Sequence, residues 1–280
     1  YTGSARELVD LLLAQWDLHN LLTLVRGHAA RAAPDDVLAY VVPVGGLDDA
    51  SAREVARQRE LAVAVQLLAA WRLPTPALAR SLVTAWPEYE RTGNLAALET
   101  QLADAHAEHV AAALDRLGDD ARPLRDAHAR QVDARNLLAA LRLRQALAAS
   151  ETDRLDPELE RRAMLGGGRL SRESLAAVAR AAAPEDARVI LARVPAGPPW
   201  VEAVGRWARG GDLVELEDEL DARLTREAVA LFHRGDPLSV AIPVAYAAAK
   251  EAEARNVRVL AEAALRGVDP VLARSRLLLA

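Results

Sequence analysis

Along most of this chain apolar residues return every three or four positions, the spacing of amphipathic helices, and no sustained alternation marks a strand. The first such stretch runs from Ala5 to Arg26, with Leu8, Leu12, Trp16, Leu21 and Val25 near that spacing and Gly27 as a stop. Pro34 then opens a helix and turn in PDDVLAYVVPVGGL. A longer helix is expected from Ser51 to Trp71, broken by Pro74 and Pro76, and another from Pro76 into Trp86. Near the carboxyl end, Asp236-Pro237 reads as a cap with Pro in the first helical position, so that Pro243 must sit in the first turns or at a kink.

The helical pattern carries an internal repeat. Asp17-Leu18-His19-Asn20-Leu21, Asp133-Ala134-Arg135-Asn136-Leu137 and Glu253-Ala254-Arg255-Asn256-Val257 share an acid, two variable positions, Asn and an aliphatic, and their Asn residues lie 116 and 120 residues apart. Tyr89-Glu90-Arg91-Thr92-Gly93-Asn94-Leu95 returns 118 residues later as Trp207-Ala208-Arg209-Gly210-Gly211-Asp212-Leu213. Both copies continue into a helix with matched residues, Leu98, Glu99 and Leu102 against Leu216, Glu217 and Leu220. In that segment Gly permits a sharp turn, and Asn94 or Asp212 caps the helix that follows. A third correspondence sets Pro34 and Gly45-Gly46-Leu47 against Pro157 and Gly167-Gly168-Arg169-Leu170. A period this long implies three related subdomains. The Pro-rich breaks place them at 1–76, 77–196 and 197–280, the first expected to lack its amino-terminal part.

The acid and Asn of each motif are three apart and share a helix face; Leu13, Asp17, Asn20 and Leu24 form one stripe. Such a pair could ligate a metal or act as a general base. Its recurrence once per subdomain favours a structural task, Asn closing the backbone groups of a neighbouring loop, because a buried unpaired polar group costs about 1–3 kcal/mol. Asp17, Asn20, Asp133, Asn136, Glu253 and Asn256 are therefore read as anchors of the repeat. On the last helix Tyr246, Lys250, Glu253 and Val257 share a stripe, which reads as an internal salt-bridge lock in preference to a docking surface.

Other candidate chemistry is weak. His106 and His109 flank Glu108 without the HExxH gap, and His128 is remote. Gly166-Gly167-Gly168 has no Lys-Ser/Thr after it and no strand before it, so a turn is expected rather than a phosphate loop. No Ser stands in a GxSxG elbow. The 35 basic and 40 acidic residues are interspersed, which argues against nucleic acid or an anionic membrane surface as the main partner. Without cysteine there is no disulfide, thiolate zinc site or Cys nucleophile. No run of about 20 apolar residues, the length of a spanning helix, is present.

Taken in order, WDLHNLLTLVRG, QVDARNLLAALRLR and above all YAAAKEAEARNVR resemble the C subunit of bacterial and archaeal V/A-type ATPases, the counterpart of the eukaryotic d subunit. The resemblance runs over essentially the whole chain. It implies an all-α, funnel-shaped protein of three similar subdomains about a pseudo-threefold axis, with no catalysis and no cofactor. It further implies a rotor socket on the cytoplasmic face of the membrane, peripheral and without a transmembrane segment of its own. Such a socket would sit on the proteolipid ring and receive the D and F shaft subunits, passing torque between ATP chemistry and ion movement. The third copy departs in having Glu253, Val257 and Arg258 where the others have Asp, Leu and Leu. Two other readings compete. One is a free-standing helical scaffold that binds a partner helix in a groove. The other is a metal-assisted hydrolase using His106, Glu108 and His109.

Overall fold

The structure, a computed structural model, describes residues 3–149, 160 and 162–278, and these hold helices and no strand. They group into two compact units, Tyr1–Leu117 with Leu165–Gly167, and Gly118–Met164 with Gly168–Ala280. Pro157, paired with Pro34 in the repeat, lies outside the described residues.

The first unit holds α1 (Ser4–Ala29), α2 (Pro34–Leu38), α3 (Asp49–Ala56), α4 (Leu61–Trp71), α5 (Pro76–Thr92) and α6 (Leu95–Arg116). Its core forms where α1 buries Leu21, Leu24 and Val25 and packs against α2, α3, α4 and α6. By length and composition α1 could cross a membrane. Its middle instead buries Asp17 and Asn20 in hydrogen bonds to a loop, as a core helix does.

The helix boundaries differ from the sequence reading in four places, each for a local reason. Gly27 does not stop α1. It lies inside the helix, where a Cβ would run into the Val37 side chain, so its smallness lets α2 approach. The stretch from Ser51 to Trp71 is two helices, because α3 ends at Ala56 and the chain turns extended at Glu60 before α4. Helix α5 continues past Trp86 and through Pro87 to Thr92, where Gly93 in the left-handed region ends it. Asp236-Pro237 forms a turn and not a helix start; Asp236 accepts from Leu238 N at 2.9 Å, and the last long helix begins at Ala241. Pro243 then falls in the first turn, where its missing N–H costs nothing.

The second unit holds α7 (Arg122–Ala148), α8 (Arg172–Ala179), α9 (Pro184–Arg193), α10 (Pro198–Ala208), α11 (Leu213–Val229), α12 (Leu231–Arg234), α13 (Ala241–Arg266) and α14 (Pro270–Ser275). Leu137, Leu141, Leu175, Leu191, Trp200 and Leu220 belong to one buried cluster, which α7, α8, α9, α10 and α11 build together. Helix α11 is strongly acidic, and its carboxylates reach Arg residues on three neighbours: Glu217 pairs with Arg142 of α7, Glu219 with Arg206 of α10, and Asp221 with Arg255 of α13.

The sequence repeat has a geometric counterpart in both units. Helices α3 and α8 are each eight residues long, capped by Asp48 accepting from Ser51 N at 2.7 Å and by Ser171 accepting from Ser174 N at 3.1 Å. Asn94 caps α6 through Ala97 N, and Asp212 caps α11 through Val214 N. The positive backbone angle sits on Gly93 in the first copy and on Gly210, not Gly211, in the second.

The loop before α3 is held at close quarters. A Cβ on Gly46 would be driven into the backbone carbonyl of Pro74, which no rotamer change relieves. Gly46→Ala is expected to cost about 1–3 kcal/mol in urea unfolding, the range for overpacking. Gly93→Ala, with open space around it, should cost about 1 kcal/mol, the penalty of a left-handed backbone alone.

Candidate functional site: the acid and asparagine clamps

Asp17, Asn20, Asp133 and Asn256 each reach from a long helix to the backbone of a segment later in the chain. On α1, the Asn20 side chain binds Val42 at two points: its amide donates to the Val42 carbonyl at 2.6 Å, and its oxygen accepts from Val42 N at 2.8 Å. One turn earlier Asp17 accepts from Gly46 N at 2.7 Å and also takes a bond from the Leu47 N–H. Both side chains are buried, and together they close the backbone groups of a loop that has no regular structure of its own.

On α7, Asp133 repeats the second half of this arrangement, accepting from Arg169 N at 2.7 Å and Leu170 N at 2.8 Å. Gly45 and Gly168 occupy matching places, where a Cβ would strike the Asp17 or the Asp133 carboxylate. Asn136 is buried beside Asp133. On α13, Asn256 repeats the first half: it donates to the Leu278 carbonyl at 2.9 Å and accepts from Leu278 N at 2.8 Å. The span is 22 residues for both Asn20–Val42 and Asn256–Leu278.

The register between the first and third copies holds beyond the Asn. A constant shift carries Asn20 onto Asn256, Arg31 onto Gly267, Pro34 onto Pro270 and Val42 onto Leu278. Arg31 and Gly267 both take positive φ, and Pro34 and Pro270 both open a short helix. Val37 and Ala273, also equivalent, are both buried.

The remaining anchors are exposed. Lys250 pairs with Glu253 at 2.6 Å, and its ammonium lies 6.0 Å from the Tyr246 ring centre, all on the surface of α13. A lock between exposed groups contributes little, since water and salt screen the attraction and two long side chains must be ordered to make it.

Sequence reasoning missed one part of the clamp. Arg26 of α1 binds Glu99 of α6 through two contacts of 2.6 and 2.8 Å, and Arg142 of α7 binds Glu217 of α11 at 2.7 Å. Both Arg residues stand nine positions after the acid, and both Glu residues stand in the repeated Leu-Glu segment. The matched spacing was a usable signal.

Electrostatics separates the buried acids from ordinary carboxylates. Burial pushes the Asp17 carboxyl from 3.8 up to about 6; the Gly46 and Leu47 N–H groups oppose the rise, and Asp10 adds to it slightly. Burial raises Asp133 as well, against its two N–H donors and the Arg169 charge. Burial, helped by Arg116 and Arg80, holds the His109 imidazole below its ordinary value. Among the described residues no three His, Cys, Asp or Glu side chains are grouped to hold a metal ion. A groove of about 820 Å³ in the second unit is lined in part by Arg130, Asp221, Glu227, Glu251, Arg255 and Leu278. Its charges meet one another, Arg130 on Glu227 and Arg255 on Asp221 and Asp218.

Helices whose buried polar residues bind the backbone of a later loop, repeated along the chain, define an all-α protein built on a structural repeat. The chain belongs to the ATP synthase (C/AC39) subunit family, which it matches over residues 1–276. It is 28% identical over 270 residues to the A-type ATP synthase C subunit of Haloferax volcanii, covering 96% of this chain and 72% of that one. It is 34% identical over 267 residues to the V-type ATP synthase C subunit of Thermus thermophilus, covering 95% and 73%. The V-type ATP synthase C subunit of Deinococcus radiodurans matches over 100 residues at 31% identity, 36% of this chain and 28% of that one.

Two measurements test the clamp. Asn20→Ala removes both partners of Val42 inside the core and is expected to cost about 2–3 kcal/mol in denaturant unfolding, against about 1 kcal/mol for the half-buried Asn256→Ala. The second concerns pH. The folded Asp17 value lies above the unfolded one, so its stabilising contribution is full below about 4 and is lost as pH rises through 6. Asp17→Asn cannot titrate; wild-type stability relative to that variant should fall by about 2 kcal/mol between pH 4 and pH 7. A difference that stays flat across that range would contradict the raised value.

Proposed function

We propose that this chain is a non-catalytic central-stalk subunit of a V/A-type ATPase or synthase, a socket that links the D–F shaft to the membrane proteolipid ring. The family match over nearly the whole chain carries this reading. In it, the protein lies on the cytoplasmic face as a peripheral member of the complex. It transmits torque for proton or sodium transport and contributes no catalytic residue and no cofactor.

The clamps fit a part that must carry load. Torque passes through a body only if its helices do not slide, and a helix whose buried Asn holds both backbone groups of one loop residue cannot shift register without orphaning them. In the same reading three repeated subdomains, near 1–76, 77–196 and 197–280, surround a pseudo-threefold axis. Asp17, Asn20, Asp133, Asn136 and Asn256 stiffen them, and Tyr246, Lys250 and Glu253 lie on the outside of the third.

Coexpression with the D and F subunits, capture of the shaft and mass determination test the proposal. A one-to-one-to-one assembly that also binds proteolipid rings is the expected result. A folded chain that binds neither shaft nor ring would overturn it in favour of a free-standing helical scaffold.

A further inference from the structure

The first two copies differ in what stands across from the clamped turn. In the first, Gly46 lies so close to the Pro74 carbonyl that no side chain fits between them. In the second, Arg169 takes the place of Gly46 as the first donor to the buried acid. Ala196, two residues before α10, takes the place of Pro74, two residues before α5. The backbone contact of the first copy is closed to a residue with a side chain. In its stead a pocket of about 480 Å³ opens between the turn at Arg169 and the segment Val194-Pro195-Ala196, wholly within the second unit.

The copies also differ in one wall of this place. Leu78 of α5 and Trp200 of α10, each third in its helix, are 1% and 2% exposed. Leu78 has nothing polar to satisfy. Trp200, which lines the pocket, brings an Nε1–H that finds no acceptor in the protein. A buried tryptophan ordinarily pairs its N–H, so an orphan beside a pocket points to an acceptor carried by a ligand.

Most of the remaining polar lining also donates. Arg130 pairs with Glu227 at 2.5 Å and Arg169 with Asp126, and neither carboxylate lines the pocket. A guanidinium has five N–H groups, so these pairs leave donors over. Ser171 and Ser174 add hydroxyls at the amino end of α8, whose dipole favours negative charge. The carboxylate of the lining, Asp133, is already engaged by Arg169 N and Leu170 N. Val194, Pro195, Ala196 and Pro199 make the rest of the wall apolar.

We propose that this pocket binds a small organic oxyanion, a phosphate or carboxylate on an apolar body. The charged group faces Arg130, Arg169 and the Trp200 Nε1–H, and the body lies on Pro195 and Pro199. The volume suits a molecule larger than bare phosphate. The inference stands on the comparison of the two copies and is independent of the rotor reading.

NMR of the indole N–H groups in the full chain gives the test, with phenyl phosphate and benzoate as probes. Trp200→Phe, which keeps a packed ring, identifies the Trp200 signal by its loss. At least one probe is expected to shift that signal saturably and to leave those of Trp16, Trp71 and Trp86 in place; the tighter of the two assigns the headgroup. Arg169→Ala keeps the backbone N–H on Asp133 and should weaken binding about tenfold, the loss of one charge-assisted hydrogen bond. Arg142→Ala, which removes an exposed ion pair outside the pocket, should leave binding unchanged. No shift with either probe, an equal shift with sodium chloride at the same ionic strength, or a shift that Arg169→Ala leaves untouched would overturn the inference. So would inorganic phosphate binding as tightly as phenyl phosphate, since the apolar wall would then play no part.

Discussion

The structure depends on burying a carboxylate and a carboxamide one turn apart on the same helix. Taking Asp17 and Asn20 out of water is unfavourable unless their hydrogen bonds are remade inside. The loop before α3 faces the reciprocal difficulty: it crosses the helix without regular structure and would leave Val42, Gly46 and Leu47 with unpaired backbone groups. Each solves the other's problem, so neither the helix face nor the loop is stable alone in this arrangement. Hydrophobic burial of Leu21 and Leu24 supplies the drive, but it is not directional. The clamp supplies register, since sliding the loop by one residue would part Asn20 from both of its Val42 partners.

The ion pairs between helices act differently. Arg26–Glu99, Arg142–Glu217 and Arg255–Asp221 all have partly exposed members, and pairs of that kind contribute little net stability. Their value lies in matching. Helix α11 places carboxylates toward α7, α10 and α13, and the paired heights of Arg130 and Arg142, Arg206 and Arg255 along it match one register of each neighbour. Aliphatic packing tolerates small slips, whereas a bidentate guanidinium contact such as that of Arg26 with Glu99 does not.

The helical class and the repeat were legible in the sequence because both are periodic signals. Apolar spacing reports which face is buried, and a motif returning at a steady interval reports a duplicated unit. Boundaries were less legible. Gly27 has the composition of a stop, but its role is to admit Val37, a contact made ten residues away in sequence and therefore invisible to local propensity. The break between α3 and α4 has no Gly or Pro to announce it. Asp236-Pro237 has the residue types of a cap and forms a turn instead. For the site, spacing put Asp17 and Asn20 on one face, while the loop groups they bind depend on how the chain returns, which no local pattern encodes. The Arg26 and Arg142 pairings could have been read from matched spacing; the exposure of Tyr246, Lys250 and Glu253 could not, because the same stripe on a covered helix would be a lock.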